Sequence, residues 1–204
     1  MSEQTLFFKA TRPDGTDFYT GTVDYGAALA SGDTIRLDSD ETEFPGPGWL
    51  HLATVPTECD GMTWPCRLFE VEPVGDVHHD EDHPHKVGCR EVRVLRELPA
   101  HEAFGPQGEQ VAALIERARC LTAAEIKRLH AAWDAAWYAA RDAAGYAAWS
   151  LVARDAAGDA AGYAAGSLVA RDLISTDAYD TLTRPWGEVI GPIHPDDPDM
   201  RRGA

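Results

Sequence analysis

Pairs of alanine residues recur every four positions in the second half of the chain, and this repeat limits the possible folds more than any other feature. The pairs begin at positions 131, 135, 139, 143 and 147, and again at 156, 160 and 164. A period of four is close to the 3.6 residues of an α-helical turn, and alanine has the highest helix propensity. The pairs therefore form one slowly drifting stripe on a helix, which we call the alanine stripe.

The alanine stripe needs a neighbour, because side chains this small add stability only when another element packs closely against them. Residues 122–173 as a single helix would extend roughly 75 Å, too far to bury the stripe. Glycine lowers helix propensity by about 1 kcal/mol relative to alanine, and the repeat contains Gly158, Gly162 and Gly166. We expect a helical hairpin, or two helices on a sheet, with a break near Gly158 and Asp159. If the helices do not pair internally, the stripe predicts at least a weak dimer.

The residues before the repeat carry the most specific local signal in the chain, a capping box. Thr122 can cap a helix, and Glu125 can bond back to the Thr122 N–H group. Leu121 and Ile126 have the spacing of a hydrophobic staple. Residues 110–119 place apolar side chains at helical spacing and predict an amphipathic helix. A helix therefore precedes the alanine stripe, and a second begins with it.

The end of the chain contains one more helix signal. A Ser-Thr-Asp cluster at residues 175–177 begins a helix, Pro185 kinks or restarts it, and the Gly191-Pro192 pair ends it. Residues 193–204 have the composition of a flexible tail. The sequence thus predicts a helical, alanine-rich segment over residues 105–192.

The first hundred residues are expected to form a small, mostly antiparallel sheet. Alternating apolar and polar residues predict strands at 5–10, 17–23, 34–37, 49–53, 67–72 and 91–98. The turn residues Arg12–Gly15 indicate that the first two strands form a hairpin. Helical periodicity replaces strand periodicity after Pro99, so the predicted fold class is α+β.

Two of these strands carry complementary charges. If strands 67–72 and 91–98 pair antiparallel, Glu70 or Glu72 can lie opposite Arg93 or Arg96, a stabilising cross-strand contact. The simpler interpretation is a solvated sheet face, which is the usual location of charged side chains.

The charge balance excludes some functions. The chain has 34 acidic and 18 basic residues, a net charge of −16, and residues 1–100 hold 19 of the acidic residues but only 8 of the basic ones. A field of this sign repels phosphates and anionic lipid, so we expect no direct binding to nucleic acid or membrane. An acidic decoy of nucleic acid is the rarer alternative.

The sequence favours a cytoplasmic protein. It has neither the basic start and apolar stretch of a signal peptide nor an apolar run approaching the roughly 20 residues that span a bilayer. In a reducing cytosol the four cysteines, Cys59, Cys66, Cys89 and Cys120, are expected to be free thiols.

A cluster of histidines and carboxylates is the candidate metal site. His78, His79, His83 and His85 lie close together with three carboxylates between them and Cys89 nearby. Imidazole and carboxylate suit zinc or nickel. However, these residues crowd one loop without a second, spaced pair of ligands, which favours a solvated loop. A divalent metal at this loop is the only cofactor that the sequence suggests.

His51 is the candidate catalytic residue. It lies within a predicted strand, where a histidine can act as a general base or ligand but more often is partly buried and makes one hydrogen bond to a neighbouring strand. Cys59 or Cys66 could join His51 in a Cys-His arrangement if the fold brought them together. Arg12 and Glu70 are the further residues that an enzyme centred on His51 would use. Phosphate loops, dinucleotide fingerprints and nucleophile elbows are missing from the sequence.

Four segments resemble an uncharacterised domain of actinobacteria and their phages. They are KATRPDG at residues 9–15, GWLH at 48–51, RLFEVEP at 67–73 and VRVLREL at 92–98. The alanine repeat and residues 179–195 are similar to tails that accompany this domain. The resemblance implies a phage or mobile-element accessory protein, without an established activity. Relatives carry a cysteine just before the glycine-histidine segment, whereas residues 43–47 of this chain contain none.

Three functions follow from these observations. The favoured one is a non-enzymatic protein-interaction module, with self-association through the alanine stripe as one form of it. The second is a small enzyme centred on His51, which a deep pocket at this residue would favour. The third is a metal-binding protein that uses the loop from His78 to His85.

Overall fold

The computed structural model describes residues 6–59, 61–129, 131–132, 168, 171 and 176–191 of the 204-residue chain. The chain divides into two compact units, residues 1–103 and 104–204. The predicted helix break near Gly158, nearly all of the alanine stripe and the predicted tail at 193–204 lie outside the described residues. The α+β fold class is confirmed, because the structure combines a seven-stranded antiparallel sheet with α-helices.

The first unit is built on the sheet. Its strands, in chain order, are β1 (Phe7–Thr11), β2 (Thr34–Arg36), β3 (Leu50–Ala53), β4 (Arg67–Pro73), β5 (His78–His79), β6 (Lys86–Cys89) and β7 (Glu91–Leu98). Their spatial order is β2-β7-β4-β1-β3-β6-β5, and every described pairing is antiparallel.

One helix, α1 (Tyr25–Ser31), belongs to the same hydrophobic core as the sheet. The Asp24 side chain caps it by accepting a hydrogen bond from the Ala27 N–H, and Gly32 ends it in a left-handed conformation with φ 78°. Tyr25 and Ala28 are buried in that core together with apolar side chains from five strands, β1, β3, β4, β6 and β7. The alternation of the strands thus provides one buried face that α1 completes.

The central strands β4 and β7 carry the predicted charge pairs. Glu70 lies opposite Arg96 in the register, and both guanidinium contacts are short, at 3.0 and 2.7 Å. Arg93 donates to Glu72 at 3.1 Å. The hydrogen bonds from Arg96 hold the pKa of Glu70 below its ordinary value. The predicted cross-strand contact is confirmed. These charged side chains pair with each other across the two strands, so they are more than solvated residues on a sheet face.

The predicted hairpin between residues 5–10 and 17–23 is wrong. Residues 17–23 form a turn and are not a strand, and β1 pairs with β4 and β3 instead. The cause is Asp17, whose carboxylate binds the backbone N–H groups that a strand would use for its ladder.

The second unit contains helices α2 (Gly108–Ala118), α3, which is described over residues 123–129, and α4 (Thr176–Val189). The predicted capping box is confirmed, since Thr122 N–H donates to the Glu125 carboxylate at 2.8 Å and Glu125 N–H donates to the Thr122 hydroxyl at 3.3 Å. Helix α4 is continuous through Pro185, so this proline does not restart it. No helix in the described part of the chain has the length and apolar character needed to cross a membrane.

Candidate functional site

The pairing between the neighbouring strands β1 and β3, near the middle of the sheet, is short. Among the described residues, β1 and β3 share one paired position, Phe8 opposite Ala53. On its other side β3 pairs with β6 over four positions, including His51 opposite Gly88. The His51 carbonyl accepts a hydrogen bond from the Lys9 ammonium at 3.0 Å. The Lys9 side chain therefore provides a further link between β1 and β3 beside their one paired position.

A cavity of about 730 Å³ is lined by residues of β1 and β3 and lies wholly within the first unit. This volume is typical of pockets that enclose small organic ligands, which run from about 300 to 1,000 Å³. Most of its lining comes from residues 8–10 of β1, 50–53 of β3, the turn that contains residues 17–20 and 22–23, and the loop at 45–47. The remaining lining residues are Tyr25, Leu37, Trp49, Glu58, Cys59, Gly61 and Lys86.

Asp17 fixes the first wall, residues 17–23, which we call the Asp17 turn. Its carboxylate accepts hydrogen bonds from the backbone N–H groups of Thr20, Thr22 and Val23, at 2.6, 3.1 and 3.0 Å, and from the Thr20 hydroxyl at 2.7 Å. Burial by itself raises the pKa of Asp17, but these hydrogen bonds and the charge of Lys9 outweigh it and leave the pKa lowered. The buried carboxylate is therefore a fixed anion that defines the turn.

Side-chain donors fix the second wall, residues 41–48, which we call the wall loop. Arg90 donates to the carbonyl groups of Glu41 and Gly48, and its guanidinium lies 3.7 Å from the centre of the Trp49 ring. The indole N–H of Trp49 donates to the Glu43 carbonyl at 2.8 Å. The wall loop is thus held through its carbonyl groups.

His51 also holds the wall loop. Its Nε2 lies 2.9 Å from the carbonyl oxygen of Gly46. A carbonyl oxygen can only accept, so Nε2 carries the proton. The Phe44 ring meets the His51 ring edge-on, with centroids 5.4 Å apart, and occupies the space in which a side chain at Gly88 would lie. The sequence predicted a hydrogen bond from His51 to a neighbouring strand, whereas this hydrogen bond goes to a carbonyl group of the wall loop.

Lys9 and Tyr25 lie deeper in the cavity lining. The Lys9 ammonium lies 5.8 Å from the centre of the Tyr25 ring, and Tyr25 is buried. Burial raises the pKa of the Tyr25 phenol, so this group stays neutral. The lining contains two lysines and two carboxylates, Lys9, Lys86, Asp17 and Glu58. Its formal charge is therefore zero, in a chain whose net charge is −16.

The cysteines differ in their relation to the cavity. Cys59 is 5% exposed and lines the cavity together with His51. Cys66 and Cys89 are also buried but are not part of the lining, and burial raises the pKa of each thiol to about 11. Cys120 is exposed. Of the two cysteines suggested to accompany His51, the fold brings Cys59 to the same cavity.

Three of the four histidines of the predicted metal site contact different neighbours. His78 and His79 form strand β5 and pair with β6, so this part of the predicted loop is a strand. The His78 ring lies 4.3 Å from that of Trp49, His83 contacts Asp80 at 3.2 Å, and His85 contacts Thr54 at 2.7 Å. Within the described residues, no three His, Cys, Asp or Glu side chains are grouped as metal ligands. The geometry therefore gives the metal-binding interpretation no support.

Arg12 and Glu70, the other residues proposed for an enzyme, do not line the cavity. Arg12 supports it indirectly, because its guanidinium donates to the Phe18 carbonyl at 2.9 Å and so helps to hold the Asp17 turn. The sequence reasoning missed Lys9, Asp17 and Tyr19 as site residues. An aspartate followed by threonines three and five residues later was a signal for the turn.

Comparison of the chain with models of protein families, with curated proteins and with solved structures found no match. The resemblance to a domain of actinobacteria and their phages therefore stays a prediction. The cavity of the first unit is the feature that bears on function.

Proposed function

We propose that the first unit binds a small organic molecule in the cavity between β1 and β3. The observation that carries this proposal is the cavity itself, whose volume and mixed lining are those of a ligand pocket. Five of its lining residues are aromatic: Phe8, Phe18, Tyr19, Tyr25 and Trp49. Aromatic side chains provide large contact areas with little conformational freedom to lose.

The fixed walls support a binding role further. The Asp17 turn and the wall loop are each held by several hydrogen bonds to side chains of the chain itself. A pre-organised pocket spends less of the contact energy on ordering its own groups, so a ligand binds more tightly.

The test uses Cys59 as a reporter in the full-length chain. Cys120→Ser removes the exposed thiol, and alkylation of the remaining cysteines by N-ethylmaleimide is followed by peptide mass spectrometry. We expect Cys59 to react faster than Cys66 and Cys89, because it lines the cavity, whereas the other two thiols are buried outside the lining.

A screen of small uncharged organic compounds then identifies ligands by their effect on the melting temperature. A compound that binds in the cavity should raise this temperature and slow the alkylation of Cys59 selectively. Protein already alkylated at Cys59 should no longer respond to the compound. The proposal fails if Cys59 reacts no faster than the other buried cysteines, or if stabilising compounds leave its alkylation rate unchanged.

A small enzyme centred on His51 is the second candidate, and a specific observation favours it. The cavity at His51 is the pocket that such an enzyme requires, and Cys59 shares its lining. If the two side chains form a nucleophile–base pair, His51→Gln should slow the alkylation of Cys59 at neutral pH at least tenfold. An unchanged rate would leave binding as the role of the cavity.

A protein-interaction module, predicted from the alanine stripe, is compatible with ligand binding by the first unit. It remains a proposal for the second unit, because the residues of the stripe lie almost entirely outside the described ranges. Light scattering on the full-length chain would test it, since the stripe predicts at least a weak dimer if its helices do not pair internally.

A further inference from the structure

Tyr19 is the most exposed large apolar side chain in the described part of the chain. It is 85% exposed, and Val74, at 38%, is the other one. Burying the ring of a tyrosine is favourable, so an exposed ring held at the edge of a cavity requires an explanation. Tyr19 belongs to the cavity lining, whereas Val74 does not.

The backbone around Tyr19 is rigidly held. Asp17 binds the N–H groups of Thr20 and Thr22 on its far side, and Arg12 binds the carbonyl of Phe18 immediately before it. The Asp17 N–H and the Val23 carbonyl close the turn with a hydrogen bond of 2.9 Å. The exposed ring therefore projects from a fixed base.

We infer that Tyr19 is a stacking surface for a flat, uncharged aromatic or heteroaromatic ring that enters the cavity. This inference rests on the proposed ligand-binding function and specifies the ligand class. A flat ring covers the exposed face of Tyr19 in the offset arrangement that aromatic pairs prefer. Trp49 and Phe18 in the same lining provide further aromatic surface.

The charge of the site selects against anions. The two lysines and two carboxylates of the lining cancel formally, and the chain as a whole carries a charge of −16. A phosphorylated compound would meet the repulsive field of the whole protein without a net positive charge in the pocket. An uncharged ring compound pays no such penalty.

Two matched pairs of probes test flatness and charge separately. Benzyl alcohol and cyclohexylmethanol have similar size and no charge, but only the first is flat. Adenosine and adenosine 5′-monophosphate share one ring system and differ in charge. Binding to the full-length protein is measured by ligand-observed NMR and calorimetry. We expect benzyl alcohol to bind more tightly than cyclohexylmethanol, and adenosine more tightly than its monophosphate.

Variants of Tyr19 locate the contact. Tyr19→Ala should weaken the binding of adenosine about tenfold, the usual effect of removing one stacked ring. Tyr19→Phe keeps the ring and should bind adenosine within about twofold of the parent. Val74→Ala, which removes exposed apolar surface outside the cavity, is the matched control and should bind as the parent does.

The outcomes distinguish this inference from the proposed function. If adenosine slows the alkylation of Cys59 but Tyr19→Ala binds it equally well, the cavity binds ligands and the stacking role is overturned. Preference for cyclohexylmethanol, or for the monophosphate, also overturns the ring class while the cavity proposal stands. If neither flat, uncharged probe binds, the inference is overturned, and the compound screen alone decides the proposed function.

Discussion

The two walls of the cavity are held in opposite chemical ways. In the Asp17 turn a single buried carboxylate collects backbone N–H groups. In the wall loop, three side chains, Arg90, Trp49 and His51, donate to backbone carbonyl groups. An anion organises one wall and donors organise the other. Irregular segments have no ladder to satisfy their polar groups, so each wall depends on a few side chains that can be removed one at a time.

The largest expected effect is that of Asp17→Ala. Three backbone N–H groups lose their acceptor, so we expect a loss of about 3 kcal/mol in the free energy of unfolding. Urea denaturation at pH 7 measures it. Asp38→Ala is the control, because the Asp38 side chain is 90% exposed, and it should change stability by less than about 0.5 kcal/mol. Equal effects of the two variants would contradict the role given to Asp17.

Arg90→Ala should have the next largest effect, a loss of about 2 kcal/mol. It removes the donors to Glu41 and Gly48 and the stacking on Trp49. Arg90→Lys should recover only part of the loss, since an ammonium cannot reproduce the planar fork. Arg36→Ala, at a mostly exposed side chain, serves as the comparison in the same denaturation series. Full recovery by lysine would show that charge alone matters at this position.

His51→Phe should cost about 1 kcal/mol. The variant keeps an aromatic ring against Phe44 but removes the donor to the Gly46 carbonyl. The same change at His85, whose side chain contacts Thr54 at the exposed surface, is expected to cost less. Thermal unfolding monitored by tryptophan fluorescence gives both values. A larger loss at position 85 would argue against a supporting role for His51.

The smallest expected effect is a difference between the two walls in how their contributions to stability depend on acidic pH. The pKa of Asp17 in the folded protein lies below its ordinary value of 3.8. Its contribution is therefore fully present above about pH 4 and is lost as the pH falls through the lower, folded value. The stability difference between the parent and Asp17→Asn should shrink below pH 4, whereas the difference for Arg90→Ala should persist, because no carboxylate takes part in those contacts. Parallel loss of both differences would refute the contrast between the walls.

The regular elements of the first unit were largely predictable from the sequence. The predicted strands at 34–37, 49–53, 67–72 and 91–98 agree with β2, β3, β4 and β7 to within one residue at each end. The contact between Glu70 and Arg96 and the capping box at Thr122 were also predicted, because strand alternation and capping are local patterns.

The helix α1 was missed, although its signals are local. Asp24 and Gly32 flank seven residues that are apolar except for Ser31, so an N-cap and a C-cap lie at the right distance. The strands β5 and β6 were also missed. Two histidines in an acidic context have little strand propensity, and β6 has only four residues, one of them a glycine. Pairing with β3 makes β6 a strand, and pairing with β6 makes β5 one.

The cavity was not predictable in the same way. His51 was singled out from the sequence, but the partners that surround it come from distant positions, such as Lys9 and the Asp17 turn. The cavity lies beside β1 and β3, which share one paired position, and this pairing depends on the long-range register of the sheet. Local propensity contains no information about which two strands become neighbours.

The short pairing of β1 and β3 has a mechanical consequence. It joins two groups of strands, β2-β7-β4-β1 and β3-β6-β5, through one paired position, Phe8 opposite Ala53. A ligand in the proposed cavity would contact residues of both groups and so provide a second link between them. Binding should therefore slow amide exchange in both groups of strands together, which hydrogen exchange of the full-length protein would measure.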